Sequence, residues 1–149
     1  MTVPDKLKLS RNGVTLWLGL GLDSERRPRV YVEFYAPEIV PIHVDWESLK
    51  LTAPDSGALS ISRIESVGEP RCPVPAGATK CSRRLKPLEF SDDLPIGSNR
   101  WVTRTFHIEL ASPPKKVLLT LPSMVIGTSA YPETPVVFER VAGVWLQGL

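Results

Sequence analysis

Two histidines, His43 and His107, are the residues best suited to acid–base chemistry in this sequence. Histidine is the usual base beside a catalytic nucleophile, because its ordinary pKa lies close to neutral pH. Asp45 follows His43 by two residues, so the two side chains share a face if this segment is a strand. Such a pair could serve a hydrolase as base and orienting carboxylate, or it could bind a metal ion. His107 alternates with threonines and Glu109, and we expect it to face solvent.

Other motifs for catalysis or cofactor binding are missing from the sequence. Asp92 and Asp93 are adjacent carboxylates in the segment SDDLP, and they are better explained as turn formers or helix caps than as paired acids. We find no G-x-S-x-G nucleophile motif, no phosphate-binding glycine loop and no acidic calcium loop. We therefore expect no catalytic residue, no metal and no cofactor, and a hydrolase using His43 and Asp45 is the least favoured function.

Cys72 and Cys81 flank the segment CPVPAGATKC. A zinc site needs four ligands, which commonly arrive as closely spaced pairs, and no histidine lies nearby in the sequence. We therefore expect a disulfide, which would stabilise the fold by about 3 kcal/mol in the chain-entropy model. Disulfides persist in oxidising compartments, which favours a periplasmic or secreted location. The segment MTVPDKLKLSRNG has no signal-peptide core and favours the cytoplasm, where both cysteines would be reduced.

Charge and composition exclude several classes of protein. Eighteen Lys and Arg oppose 16 Asp and Glu, for a net charge of +2. This balance is too small to direct the chain to nucleic acid unless the cations gather on one face, and the short basic clusters are spread along the sequence. No apolar run approaches the roughly 18 residues of a membrane-spanning helix. With 149 residues of ordinary globular composition, we expect one domain over residues 1–149.

Alternation of apolar and polar residues predicts the strands that must position these side chains. The clearest strand runs from Gly13 to Leu22, with Val and Leu at every second position. A second, Val30 to Tyr35, would pair with it as a hairpin across LDSERRPR. Gly19 and Gly21, on the face opposite the leucines, indicate close approach by a bulky neighbour or a bulge.

Further alternating segments cover most of the remaining chain. Trp101 to Leu110 is the clearest of them, and a change of phase within Ala58 to Val67 predicts a bulge near Arg63. A single helical turn could form around Asp92 or over Asp45-Trp46-Glu47. The other predicted strands span residues 40–44, 48–52, 85–90, 115–121, 136–140 and 144–149.

Proline placement favours an open arrangement of these strands. Many of the 15 prolines fall at or near predicted strand ends, where no backbone donor of a central strand is lost. We predict an all-β fold: an antiparallel β-sandwich, immunoglobulin-like or a related Greek key, with about eight to ten short strands. Both cysteines lie in one loop, so the inter-sheet cysteine pair of true immunoglobulin domains is absent and the topology stays open.

Aromatic residues supply the best candidate binding surface. Trp17, Trp101 and Trp145 each lie opposite the main aliphatic residues of their strands. Tyr31 and Tyr35 have the same placement. Their strand is predicted to lie next to the strand that carries Trp17. Either these rings form a secondary packing cluster, or they form an exposed patch for a protein or carbohydrate partner. The candidate surface consists of Trp17, Tyr31, Glu33 and Tyr35.

Three functions remain open on the sequence. The leading hypothesis is a non-enzymatic binding or structural module of an extracytoplasmic bacterial protein. The alternative is a cytosolic assembly protein, such as a component of a phage or a secretion machine. A hydrolase is the third, and the sequence determines neither the partner nor the oligomeric state.

Overall fold

The computed structural model describes residues 6–25, 27–71, 84–110, 114–141 and 144–148. Short strands dominate these residues, and no α-helix occurs among them. The strands are β1 (Lys6–Arg11), β2 (Val14–Leu22), β3 (Pro28–Tyr35), β4 (Ile42–Val44), β5 (Lys50–Ala53), β6 (Gly57–Ala58), β7 (Ile61–Pro70), β8 (Lys86–Pro87), β9 (Asn99–Ile108), β10 (Lys116–Leu121), β11 (Met124–Ile126), β12 (Ser129–Tyr131), β13 (Thr134–Val141) and β14 (Val144–Gly148). Of the two positions considered for a helical turn, the one after Asp45 is a 3₁₀ helix at Trp46–Ser48. At the other there is no helix, and Asp93 forms an isolated bridge with His43.

The strands form three antiparallel sheets. Six strands pair in the order β1-β2-β3-β9-β7-β8, five in the order β14-β13-β10-β5-β6, and three in the order β12-β11-β4. The predicted all-β fold, an antiparallel sandwich of short strands, is therefore confirmed. The immunoglobulin-like topology stays a prediction.

One hydrophobic core lies between the sheets, and the alternation of the strands supplies it. Residues at every second position of β2, β3 and β9 are buried together with residues of β5, β10 and β13 and of the three-stranded sheet. Each fully buried aliphatic or aromatic side chain stabilises the fold by about 1.5–3 kcal/mol relative to an exposed one. The largest fully buried apolar side chains include Leu16, Leu18, Phe34, Phe106, Leu119, Leu121, Ile126 and Phe138.

The predicted hairpin of β2 and β3 is confirmed. Leu22 lies opposite Pro28 and Thr15 opposite Tyr35. Asp23 holds the connecting turn, because its Oδ1 accepts the backbone N–H groups of Glu25 and Arg27 at 2.9 and 2.8 Å. A side chain that binds backbone donors two to four residues later is a common way to stabilise such turns.

The bulge predicted near Arg63 is also present. The pairing of β7 with β9 shifts between Ile61, which lies opposite Ile108, and Arg63, which lies opposite His107. The extra residue sets Ile61 opposite Ile108 and Ile64 opposite Phe106, so both isoleucines share the face of these buried residues although they remain exposed at this end of the sheet. This explains the change of phase in the sequence.

The described residues form 14 strands, more than the eight to ten predicted. The strands not predicted are β1, β6, β11 and β12, and the predicted segment Ala58 to Val67 is divided between β6 and β7, which lie in different sheets. The turn between β1 and β2 is Asn12–Gly13, with φ of +46° and +80°, the left-handed pair that a type I′ hairpin turn requires. Asn12 also donates from Nδ2 to the carbonyl of Ile126 at 2.9 Å, which ties this turn to β11. Strands of three residues, such as β11 and β12, are too short to show alternation.

Two predictions fall on parts of the chain outside the described residues. Cys72 and Cys81 both lie there, so the disulfide stays a prediction. The Ala142–Gly143 turn lies there as well, although the strands on either side of it pair antiparallel, with Val141 opposite Val144.

Replacing Gly13 by alanine tests the type I′ turn. Because residue 13 has φ of +80°, we expect the free energy of unfolding to fall by about 1–2 kcal/mol, or about 2–8 °C in the unfolding midpoint. Gly21→Ala is the control, because Gly21 has no positive φ and an added Cβ meets no heavy atom within 4 Å. This control should keep or gain stability. Equal losses in thermal denaturation of the two variants would contradict the turn assignment.

Candidate functional site

The outer face of the six-stranded sheet carries four aromatic side chains, which we call the aromatic face: Trp17, Tyr31, Tyr35 and Trp101. Their neighbours in the chain point into the core, so these side chains point away from it. All four are half-buried. The structure therefore brings together the predicted aromatic residues and adds Trp101 to them.

Trp101 is the centre of a stack of rings. Its ring centroid lies 4.9 Å from that of Trp17, with planes 19° apart, and 4.8 Å from that of Tyr35, with planes 31° apart. Strand register explains these contacts, because Tyr35 lies directly opposite Trp101 and Trp17 lies diagonally across β3. Each such ring pair contributes about 0.5–1.5 kcal/mol beyond the area that it buries.

Tyr31 lies over Gly19, its cross-strand partner. A Cβ at residue 19 would lie 1.9 Å from Cζ of Tyr31, so only glycine leaves room for the ring in this position. The close neighbour expected at Gly19 is thus confirmed. At Gly21 no heavy atom lies within 4 Å of an added Cβ, so the same expectation is wrong there.

Charged groups border the rings. Glu33, the fourth predicted residue of the surface, lies opposite both Trp17 on β2 and Thr103 on β9, and it is half-buried. On the other side of Trp17, the ammonium group of Lys8 lies 6.0 Å from the centroid of the indole ring, which is within the range of a cation–π contact. The aromatic face thus combines a large apolar area with charges of both signs.

His43 is paired with Asp93, and the pair with Asp45 that a hydrolase was considered to use is absent from the hydrogen bonds of the described residues. Nδ1 of His43 lies 2.8 Å from Oδ1 of Asp93. This hydrogen bond raises the pKa of His43, and the charges of Asp92 and Asp45 add to the shift. His43 and Asp45 do line one groove of about 380 Å³, together with Ser123. Asp93 holds Nδ1 of His43 as the orienting carboxylate of a catalytic triad does, so a hydrolase would need its nucleophile at Nε2. Among the hydrogen bonds of the described residues, none joins Nε2 of His43 to a hydroxyl or thiol.

His107 is buried, with 6% of its surface exposed, so the expectation of a solvent-facing residue is wrong. Nη2 of Arg63 lies 3.2 Å from Nε2 of His107. Nδ1 faces Oδ2 of Asp23 at 3.8 Å, and Oε1 of Glu65 lies 3.4 Å from Nε2. Charges of both signs cover the ring, because the turn after β2 folds over this end of β9.

Two residues of β9 were left out of the candidate sites, although the sequence held a signal for each. Trp101 has the same placement as Trp17. The sequence does not show, however, that β9 lies beside β3. Arg104 has the phase of Val102 and Phe106, which form the apolar stripe of the strand. A cation in that phase was the sign of a buried arginine.

Comparison with known proteins leaves the function to be argued from these residues. No family model matches the chain, and no curated protein or solved structure matches it. Among the described residues, no helix has the length and apolar character needed to cross a membrane. The class that fold and site define is an antiparallel β-sandwich with an aromatic outer face.

The pairing of His43 predicts how its titration responds to substitution. We expect Asp93→Asn to lower the pKa of His43 more than Asp45→Asn does, because Asp93 makes the hydrogen bond and Asp45 acts only through its charge. NMR titration of the ring carbon signals measures both. A larger effect of Asp45→Asn would support the predicted His43–Asp45 pair instead. Since the folded pKa is raised, the pairing stabilises the fold below the unfolded pKa of about 6.5, and this contribution is lost as pH rises through the folded pKa.

The ring stack predicts an order of stabilities. Trp101 stacks against two rings, those of Trp17 and Tyr35, whereas Trp17 stacks against Trp101 alone among the ring pairs of the described residues. We therefore expect Trp101→Ala to lower the free energy of unfolding by about 2–3 kcal/mol and Trp17→Ala by about 1 kcal/mol. Denaturant unfolding of both variants gives the two values. If Trp17→Ala costs as much as Trp101→Ala, then Trp17 is a packing residue and the aromatic face is a secondary core.

Proposed function

We propose that this chain is a non-enzymatic binding module, that the aromatic face is its binding surface, and that its partner is a protein. The observation that carries the proposal is the half-exposed stack of Trp17, Trp101 and Tyr35 on the outer side of the sheet. The hydrophobic core lies on the inner side, so it does not require these rings. Tryptophan and tyrosine are also the residues that most often supply the binding energy of protein interfaces.

The arrangement of the rings favours a protein over a carbohydrate. A sugar ring stacks on an open aromatic face, but here Trp17 and Tyr35 both lie against Trp101, so the rings cover one another. Lys8 and Glu33 border the stack with opposite charges, and a protein partner can match both. Such a surface, with aromatic residues at its centre and charges around them, has the composition of a protein interface.

Two further features support the proposal. The surroundings of the two histidines support a module without catalysis, and the two cysteines support a location outside the cytoplasm. Among the hydrogen bonds of the described residues, neither imidazole ring is joined to a hydroxyl or thiol, the groups that a hydrolase would use as nucleophile. Cys72 and Cys81 favour an oxidising compartment, since disulfides persist there. We therefore propose that the module belongs to a periplasmic or secreted protein.

Site-specific photo-cross-linking in the source cells tests the proposal. A benzophenone amino acid replaces Lys8, which is exposed beside Trp17, and in a matched control it replaces Lys50, which is exposed on β5. We expect a protein adduct at position 8 and none at position 50. Mass spectrometry identifies that protein, whose affinity for the full chain is then measured in purified form.

The affinity measurement completes the test. Trp17→Ala should raise the Kd for that protein by about 30-fold, the effect of losing a hot-spot residue worth about 2 kcal/mol. An adduct at position 50 alone, or a Kd that Trp17→Ala leaves unchanged, would remove the aromatic face as the binding surface. Capture of a polysaccharide at position 8 would replace the protein partner with a carbohydrate.

A further inference from the structure

Arg104 lies inside the sandwich. It belongs to β9, between Val32 of β3 and Ser66 of β7 in the register of the sheet, and its exposed fraction is 0%. Its side chain shares the inner face with Val102 and Phe106, on the opposite side of the sheet from the aromatic face. A site at Arg104 is therefore independent of the aromatic face and of the function proposed for it.

The surroundings of Arg104 only partly satisfy its charge. Nη1 donates to the carbonyl of Ser91 at 2.9 Å. The guanidinium carbon lies 4.8 Å from the ring centroid of Phe90 and 5.6 Å from that of Trp46. Burial lowers the pKa of Arg104 to about 10, although the charge of Asp92 opposes this shift. Among the described residues, no carboxylate lies within salt-bridge distance of this guanidinium. A buried cation without a counter-charge is costly.

Four buried polar atoms near this point have no hydrogen-bond partner among the described residues. Two are Nε and Nη2 of Arg104, and the others are Oγ of Ser66 and Nε1 of Trp46. The N–H groups of Nε and Nη2 lie along one edge of the guanidinium group, and this edge can donate two parallel hydrogen bonds to a carboxylate. Ser66 is the cross-strand neighbour of Arg104, so its hydroxyl is a further donor on the same face of the sheet.

We propose that the Nε and Nη2 edge of Arg104, with the hydroxyl of Ser66 and the indole N–H of Trp46, binds a carboxylate group. A carboxylate accepts the paired donors and also balances the single buried charge, which a water molecule cannot do. A monoanion suits the site better than a phosphate, because one cation faces it. Phe90 lies against the guanidinium and is 41% exposed, so movement of its side chain gives the ligand access from solvent.

A small free carboxylate and the C-terminal carboxylate of a peptide share this chemistry. Sodium acetate is the probe for the first, and N-acetylglycylglycine, with its C-terminal amide as control, is the probe for the second. The readout is the assigned ¹⁵N–¹H signal of Arg104 Nε in the full chain, titrated at constant ionic strength against sodium chloride. We expect a saturable shift with one or both carboxylates and none with the amide or with chloride.

Two variants keep the proposal testable even if substitutions of Arg104 unfold the chain. Ser66→Ala removes one donor and should raise the Kd for the carboxylate by about tenfold, as expected for a hydrogen bond to a charged group. Phe90→Ala opens the way to Arg104 and should speed the exchange of the bound carboxylate. A signal that does not shift in either the wild-type chain or Phe90→Ala would overturn the proposal in favour of buried water. An equal saturable shift with chloride would overturn it in favour of a halide site.

Discussion

The register of β2, β3 and β9 is the constraint on which the rest of the structure depends. Side chains alternate between the two faces of a sheet, so a slip by one residue would move the whole core to the outside. The register that sets Leu18 opposite Val32 also sets Trp17 opposite Glu33 and Tyr35 opposite Trp101. Packing of the core therefore determines the geometry of the aromatic face. The rings occupy defined positions because the residues between them are buried on the other side.

Much of this constraint is local in the chain, and that part was predictable. Hairpin β2–β3 follows from two alternating segments joined by a polar turn, and the bulge near Arg63 follows from a change of phase. The placement of Trp17, Tyr31 and Tyr35 on the outer side follows from the same alternation. These predictions needed only the period of the strand, which each segment shows by itself.

The rest depends on strand order and on very short elements, which periodicity does not reveal. Trp101 contacts Tyr35 because β9 lies beside β3. Nothing in the sequence of either strand indicates that the two strands are neighbours. Burial of His107 has a similar cause, because the turn after β2 folds back over the end of β9. Strand β1 could have been predicted from Asn12–Gly13, a dipeptide typical of type I′ hairpins. No such signal was available for the three-residue β11.

Strand β9 connects the two sites argued above, since it carries Trp101 on its outer face and Arg104 on its inner face. A buried arginine stabilises a fold less than a well-packed apolar residue of similar volume, unless its charge and its donors are matched. The carbonyl of Ser91 and the rings of Phe90 and Trp46 match part of them. Among the described residues, Nε and Nη2 of Arg104 and the hydroxyl of Ser66 remain without a hydrogen-bond partner. The edge formed by Nε and Nη2 can hold a carboxylate through two parallel hydrogen bonds, and a carboxylate bound there would supply the charge and the acceptors that the described part of the core does not.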